Sequence, residues 1–179
     1  MRKFFAALII ILASVSVFSK GPEIKDISYF FERQRIFVSF ALKEGFLSQD
    51  IIDAINSTNP ITFKYQIELA KKKTLWIDST ILKTVIEKTI QYDNLTHQYE
   101  ITIIRDEKVI EKKTLTSLDE VILELSKVQS IDLGSTADLS PGENIYYIRA
   151  KATLFKSFFL LLFPNDVDTG WKEKNIKTP

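Results

Sequence analysis

Residues 61–69 alternate without a break. Ile61, Phe63, Tyr65, Ile67 and Leu69 fall on one side, and Thr62, Lys64, Gln66 and Glu68 on the other. Successive side chains of a β-strand point to opposite faces, so this period of two predicts a half-buried strand with a core face and a wet face. The same rhythm recurs in Ile36, Val38, Phe40 and Leu42, and in Leu95, His97, Tyr99, Ile101 and Ile103. It returns near the end, where Tyr146, Ile148, Ala150, Ala152 and Leu154 alternate against Ile145, Tyr147, Arg149, Lys151 and Thr153. Clean alternation means one solvated face, which antiparallel sheets allow and helix-covered parallel sheets do not.

The breaks between these runs are short. Glu32-Arg33-Gln34 separates strand 24–31 from 35–42, and Arg105-Asp106-Glu107 separates 95–104 from 108–114, spacings that predict hairpins. Segment 79–92 fits a helix through Leu82, Val85, Ile86 and Ile90. Its β-branched content and its flanking strands favour a bulged strand. Two helices are expected. In 117–128, Leu118, Val121, Ile122, Leu125 and Val128 share a helical face, and Ser117 with Glu120 forms a capping box. In 48–56, Ser48 caps, Leu47 staples to Ile52, and Ile51, Ile52 and Ile55 turn inward. Two helices are too few to serve as crossovers in a parallel sheet. The expected fold is therefore mainly β, an antiparallel sandwich-like domain with two short helices.

The start of the chain carries an address. Met1-Arg2-Lys3 is basic, Phe4–Phe18 is apolar apart from Ser14 and Ser16, and Val17 and Ser19 are small residues before Lys20. That layout predicts a signal peptide over 1–19, removed on export, and a single β-rich domain over 20–179. A retained anchor is the alternative, but a spanning helix needs about 20 apolar residues. The chain holds 24 basic and 23 acidic side chains. Losing Arg2 and Lys3 with the leader brings the balance to 22 against 23, which gives no electrostatic case for nucleic acid. Cysteine is absent, so a disulfide framework is excluded, and the remaining length is enough to bury a core without one.

Chemistry-bearing residues are sparse. His97 is the single histidine, so any Ser-His-acid triad must use it, and its place between Leu95 and Tyr99 predicts a partly buried structural role instead. One histidine without cysteine is too little for zinc. The Asp166–Gly170 stretch fails the calcium-loop spacing, because Trp171 and Lys177 stand where Gly and Glu are required. The pairs Asp106-Glu107 and Asp119-Glu120 have turn and helix-start explanations. No cofactor or metal is expected. Lys71-Lys72-Lys73 reads as a solvated turn or a contact for an acidic surface. The run Phe158–Phe163 reads either as a buried element or as an apolar patch for a membrane surface, made by Phe158, Phe159 and Phe163.

Several segments taken in order resemble a known bacterial family. Pro60-Ile61-Thr62-Phe63 leads to Ile67-Glu68-Leu69, and a basic stretch precedes Leu75-Trp76-Ile77-Asp78. Tyr92-Asp93-Asn94-Leu95-Thr96 is followed by Tyr99, Ser117-Leu118-Asp119-Glu120 opens a helix, and Asp168-Thr169-Gly170-Trp171 closes the pattern. Over about Ile24 to Trp171 the chain resembles domain of unknown function 4390. It departs from that pattern at Ser57-Thr58-Asn59, where members tend to carry a glycine before the proline. The resemblance implies a periplasmic protein of Gram-negative-type bacteria, often encoded beside an NtrY-like membrane sensor kinase. It supplies no catalytic residues.

The resulting expectation is a non-enzymatic periplasmic interaction module whose partner is an envelope protein, such as the outer domain of a sensor kinase. Trp76, Tyr92, Tyr99 and Trp171 are the candidate anchors, because Trp and Tyr concentrate at interface hot spots, with core packing the alternative for each. A carrier of an apolar ligand or lipid, lodged between sheets or in a barrel mouth, is the second expectation and requires a closed or half-open apolar cavity of at least roughly 300 Å³. A hydrolase is the third and requires His97 or two carboxylates converging in a cleft.

Overall fold

The computed structural model describes residues 21–46, 48–73, 77–137, 139, 145–154 and 167–177. Two antiparallel sheets face each other. The smaller contains β1 (Glu23–Glu32), β2 (Arg35–Lys43) and β7 (Lys127–Ser135), in the order β1-β2-β7. The larger contains β3 (Ile61–Lys71), β4 (Ser79–Asp93), β5 (Gln98–Arg105), β6 (Lys108–Leu115), β8 (Tyr146–Leu154) and β10 (Lys172–Ile176), in the order β10-β8-β3-β4-β5-β6. The short β9 (Val167–Asp168) pairs with β8. Helix α1 (Gln49–Ile55) leads from β2 to β3, and α2 (Leu118–Ser126) leads from β6 to β7.

The alternating rows make the core. Ile36, Val38, Phe40 and Leu42 of β2 are buried, as are Ile61, Phe63, Tyr65, Ile67 and Leu69 of β3. The Phe40 and Tyr65 rings meet with centroids 6.2 Å apart. Each such large apolar side chain contributes about 1.5–3 kcal/mol by leaving water. Segment 79–92 is strand, as its β-branched residues predict, and it pairs with β3 along its length. Both hairpins close on two residues of positive φ: Arg33 and Gln34 at 48° and 61°, and Asp106 and Glu107 at 46° and 68°. Such turns match the strand twist.

Three expectations are corrected. Strand β5 begins at Gln98, and His97 and Leu95 lie in the preceding turn, both exposed. The Asp93 carboxylate accepts from the amides of Leu95 (2.8 Å) and Thr96 (3.4 Å), and His97 sits at φ 55°, so the alternation ends there. Second, α2 stops at Ser126, and Val128 is the buried second residue of β7. Third, Ser48 occupies the start of α1, but its side chain makes no capping hydrogen bond. Leu47, its expected staple, lies outside the described residues, as do the leader 1–19, Trp76 and the run Phe158–Phe163.

The two long sides of the sandwich differ. On one side β1 packs against β8 and β10, and the Lys177 amide donates to the Tyr29 hydroxyl at 3.0 Å. On the other side β6 and β7 are the last strands of their sheets among the described residues, and α2 crosses between them. Among the described residues, no helix is long and apolar enough to cross a membrane.

Candidate functional site

A cleft of about 570 Å³ opens on the β6–β7 side. Ile86 of β4, Ile103 of β5, and Val128 and Ile131 of β7 line it. Ile110 of β6 and Leu123 of α2 also line it and remain 53% and 54% exposed, which places apolar surface at its mouth. The walls are a strand and a helix joined by a two-residue link, so their separation is set by what holds α2 down.

Lys88 does most of this. It stands on the inner row of β4 between Ile86 and Ile90 and is only 4% exposed. Its ammonium donates to the Glu124 carbonyl (2.5 Å), the Glu124 carboxylate (2.9 Å) and the Lys127 carbonyl (2.8 Å). All three of its donors are therefore matched at the end of α2. The Tyr65 hydroxyl adds a fourth tie, donating to the Leu125 carbonyl at 2.5 Å. The last carbonyls of a helix have no partner within it, and here side chains of the larger sheet supply them. At the other end, Ser117 Oγ accepts from the Glu120 amide at 3.3 Å, and Glu120 reaches back to the Thr116 amide at 3.1 Å. The capping box thus closes on Thr116.

Glu124 links both walls. Lys88 holds one carboxylate oxygen, and Lys113 of β6 holds the other at 2.9 Å. Burial lowers the Lys88 pKa, against the pull of Glu124. Burial alone would raise Glu124, but the bonds from Lys113 and Lys88 bring it below the usual glutamate value. A carboxylate depressed in this way adds stability that is present above its unfolded value and lost as pH falls through its folded one. The expected result is a falling thermal midpoint on acidification below about pH 5, with a smaller fall in Glu124→Gln. An acid response identical in Glu124→Gln and wild type would show that the bridge contributes nothing.

The anchors chosen from sequence do not gather at the cleft. Tyr92 and Tyr99 are a cross-strand pair of β4 and β5, with centroids 4.8 Å apart. Tyr99 is 7% exposed and donates to Asn56 Oδ1 at 2.6 Å, a core role that ties the end of α1 to the sheet. The Tyr92 hydroxyl meets His97 Nδ1 at 3.1 Å. Trp171 is 39% exposed on the outer face of the larger sheet, with the Arg149 guanidinium 4.6 Å and the Lys151 ammonium 5.4 Å from its ring. Behind it Arg149 pairs with the buried Glu68 through Nε (2.8 Å) and Nη2 (2.6 Å). Trp76 lies outside the described residues. Lys88 went unnoticed in the sequence, although it is the one charge on the row Thr84, Ile86, Lys88, Ile90.

One carboxylate of each acidic pair is engaged by neighbouring groups. Asp106 accepts from the Thr84 hydroxyl (2.6 Å) and the Val85 amide (2.8 Å), and Glu120 caps α2. His97 lies in an exposed turn, and its ring meets the Tyr92 phenol rather than a serine hydroxyl.

No curated protein and no solved structure matches the chain. A family model described as "Domain of unknown function (DUF4390)" matches residues 19–159. That span takes in the smaller sheet, β3 to β6 and β8 of the larger one, both helices and every residue of the cleft, and the chain belongs to the DUF4390 family.

Proposed function

We propose that this chain is an exported, periplasmic binding module without catalysis of its own, and that the β6–β7 cleft receives an extended segment of an envelope protein. The observation that carries this reading is the coincidence of two strand edges unpaired among the described residues with a cleft lined by apolar and charged side chains together. Free edges offer backbone donors and acceptors, and pockets beside them take alternate side chains, which is how strand-type peptide recognition works. The exposed Ile110 and Leu123 give the segment apolar contact at the mouth. The leader over 1–19 supports export, and the family resemblance makes the outer domain of a membrane sensor kinase the first partner to test.

A photo-crosslinking residue placed at Ile110 or at Leu123, in the full chain expressed in its own bacterium, is expected to capture an envelope protein. The same residue at Phe30, exposed on the smaller sheet, is the control. Equal capture from Phe30, or none from the cleft positions, would remove the reading.

The cleft volume also favours a second reading, the carriage of an apolar ligand, since about 570 Å³ exceeds the roughly 300 Å³ that such a site requires. Native mass spectrometry of the purified chain tests it: a co-purifying lipid lost on Ile103→Trp supports it, and a bare chain of sequence mass counts against it.

A further inference from the structure

We infer that the partner segment is acidic and adds as a strand to the free edge of β6, an inference that rests on the cleft reading above. Strand β6 is eight residues long and ends the larger sheet. It carries Lys108, Lys112 and Lys113 against the single acid Glu111. Lys113 is engaged by Glu124 at 2.9 Å and by Glu111 at 3.4 Å. Lys108 and Lys112 are exposed and have no ion-pair partner among the described residues. Two free cations therefore sit on an open strand edge.

Such an edge discriminates. Edge lysines are a known guard against indiscriminate pairing. An incoming strand with Asp or Glu on the row facing Lys112 meets attraction where other strands meet repulsion. Its alternate residues turn into the cleft, toward Ile103 and Val128, and must be apolar. Strand β6 is bulged at Ile110, opposite Ile103 and Ile104 of β5, and Ile110 lines the cleft as well, so the segment meets an apolar residue from β6 itself. Charge admits the segment, and the apolar row holds it.

A display library of random eight-residue segments, selected against the purified full chain, tests this. Enriched sequences are expected to alternate apolar with acidic residues. A synthetic peptide of the most enriched sequence is expected to protect β6 amides from hydrogen exchange. It should bind the Lys108→Glu/Lys112→Glu variant about tenfold more weakly, with Lys108→Gln/Lys112→Gln between the two. Both variants change exposed side chains, and an unchanged thermal midpoint verifies their fold. Enrichment without acidic residues, affinity indifferent to charge reversal, or protection at β1 or β10 instead of β6 would each overturn the inference. The two readings fail separately. A protein crosslinked at Ile110 whose capture ignores the charge reversal leaves the cleft reading standing and ends this one.

Discussion

Lys88→Met is expected to lower the unfolding free energy by about 3–5 kcal/mol, the usual result of breaking a buried ion pair from one side. Methionine fills the path of the lysine stem but donates no hydrogen bond. The carbonyls of Glu124 and Lys127 lose their donor, and the Glu124 carboxylate keeps only Lys113. A buried acceptor left without a partner costs about 1–3 kcal/mol, so two of them reach the same range independently. Urea denaturation should show a lower midpoint with little change in slope. Lys113→Met is the comparison: its side chain is 30% exposed, and an ion pair of that kind is worth at most about 1 kcal/mol. Adding Glu124→Gln to Lys88→Met should recover part of the loss, because it removes the half-compensated charge. A loss under about 1 kcal/mol for Lys88→Met would mean that the three contacts do not hold α2. The expected consequence reaches the cleft, since α2 is one of its walls.

The parts of this structure that were legible in the sequence are those governed by period. β2, β3 and β8 each bury one alternate row, and a row of Ile, Phe and Tyr opposite Thr, Lys and Gln admits one reading. β7 was not legible. Leu118, Val121 and Leu125 set a helical rhythm that Val128 continues, and Ser130 at φ 49° interrupts the alternation that would have revealed a strand. Leu95 misled in the opposite way, because it shares the phase of Tyr99 while the Asp93 turn throws it into solvent at 92% exposure.

The cleft had a single trace in the sequence, the charge of Lys88 on an apolar row. Its other ingredients depend on which strands end each sheet, a matter of pairing between segments far apart in the chain. The aromatic anchors were chosen by residue type, and type does not separate Tyr99, whose hydroxyl finds Asn56, from Trp171, whose ring stays at the surface beside Arg149.

Gly134→Val is expected to cost about 3 kcal/mol or more, from two sources that can be separated. Gly134 pairs with Ile36 in β7 at φ +141°, a backbone angle that residues with a Cβ rarely adopt. Holding a β-branched residue there costs about 1–3 kcal/mol. A Cβ at this position would also lie 3.0 Å from Leu82 Cδ2 and 3.1 Å from Cδ1, and crowding of that kind costs a further 1–3 kcal/mol or so. Gly134→Ala carries the same backbone strain with less crowding, and about 2 kcal/mol is expected. Combining Gly134→Ala with Leu82→Ala should cost less than the sum of the two, because the second removes what the first collides with. Strict additivity would show that the crowding is absent, and a Gly134→Val loss under about 0.5 kcal/mol would show that the strain is absent as well. The position matters to the cleft because β4 touches β7 at Leu82 and Gly134, while Arg105 Nη2 donates to the Asp132 carbonyl next to it. Those contacts join the sheets at one end of the open side, and Lys88 joins them through α2 at the other. A bulkier residue at 134 forces the sheets apart at that end, so Gly134→Ala should raise β7 amide exchange near Asp132 more than near Val128.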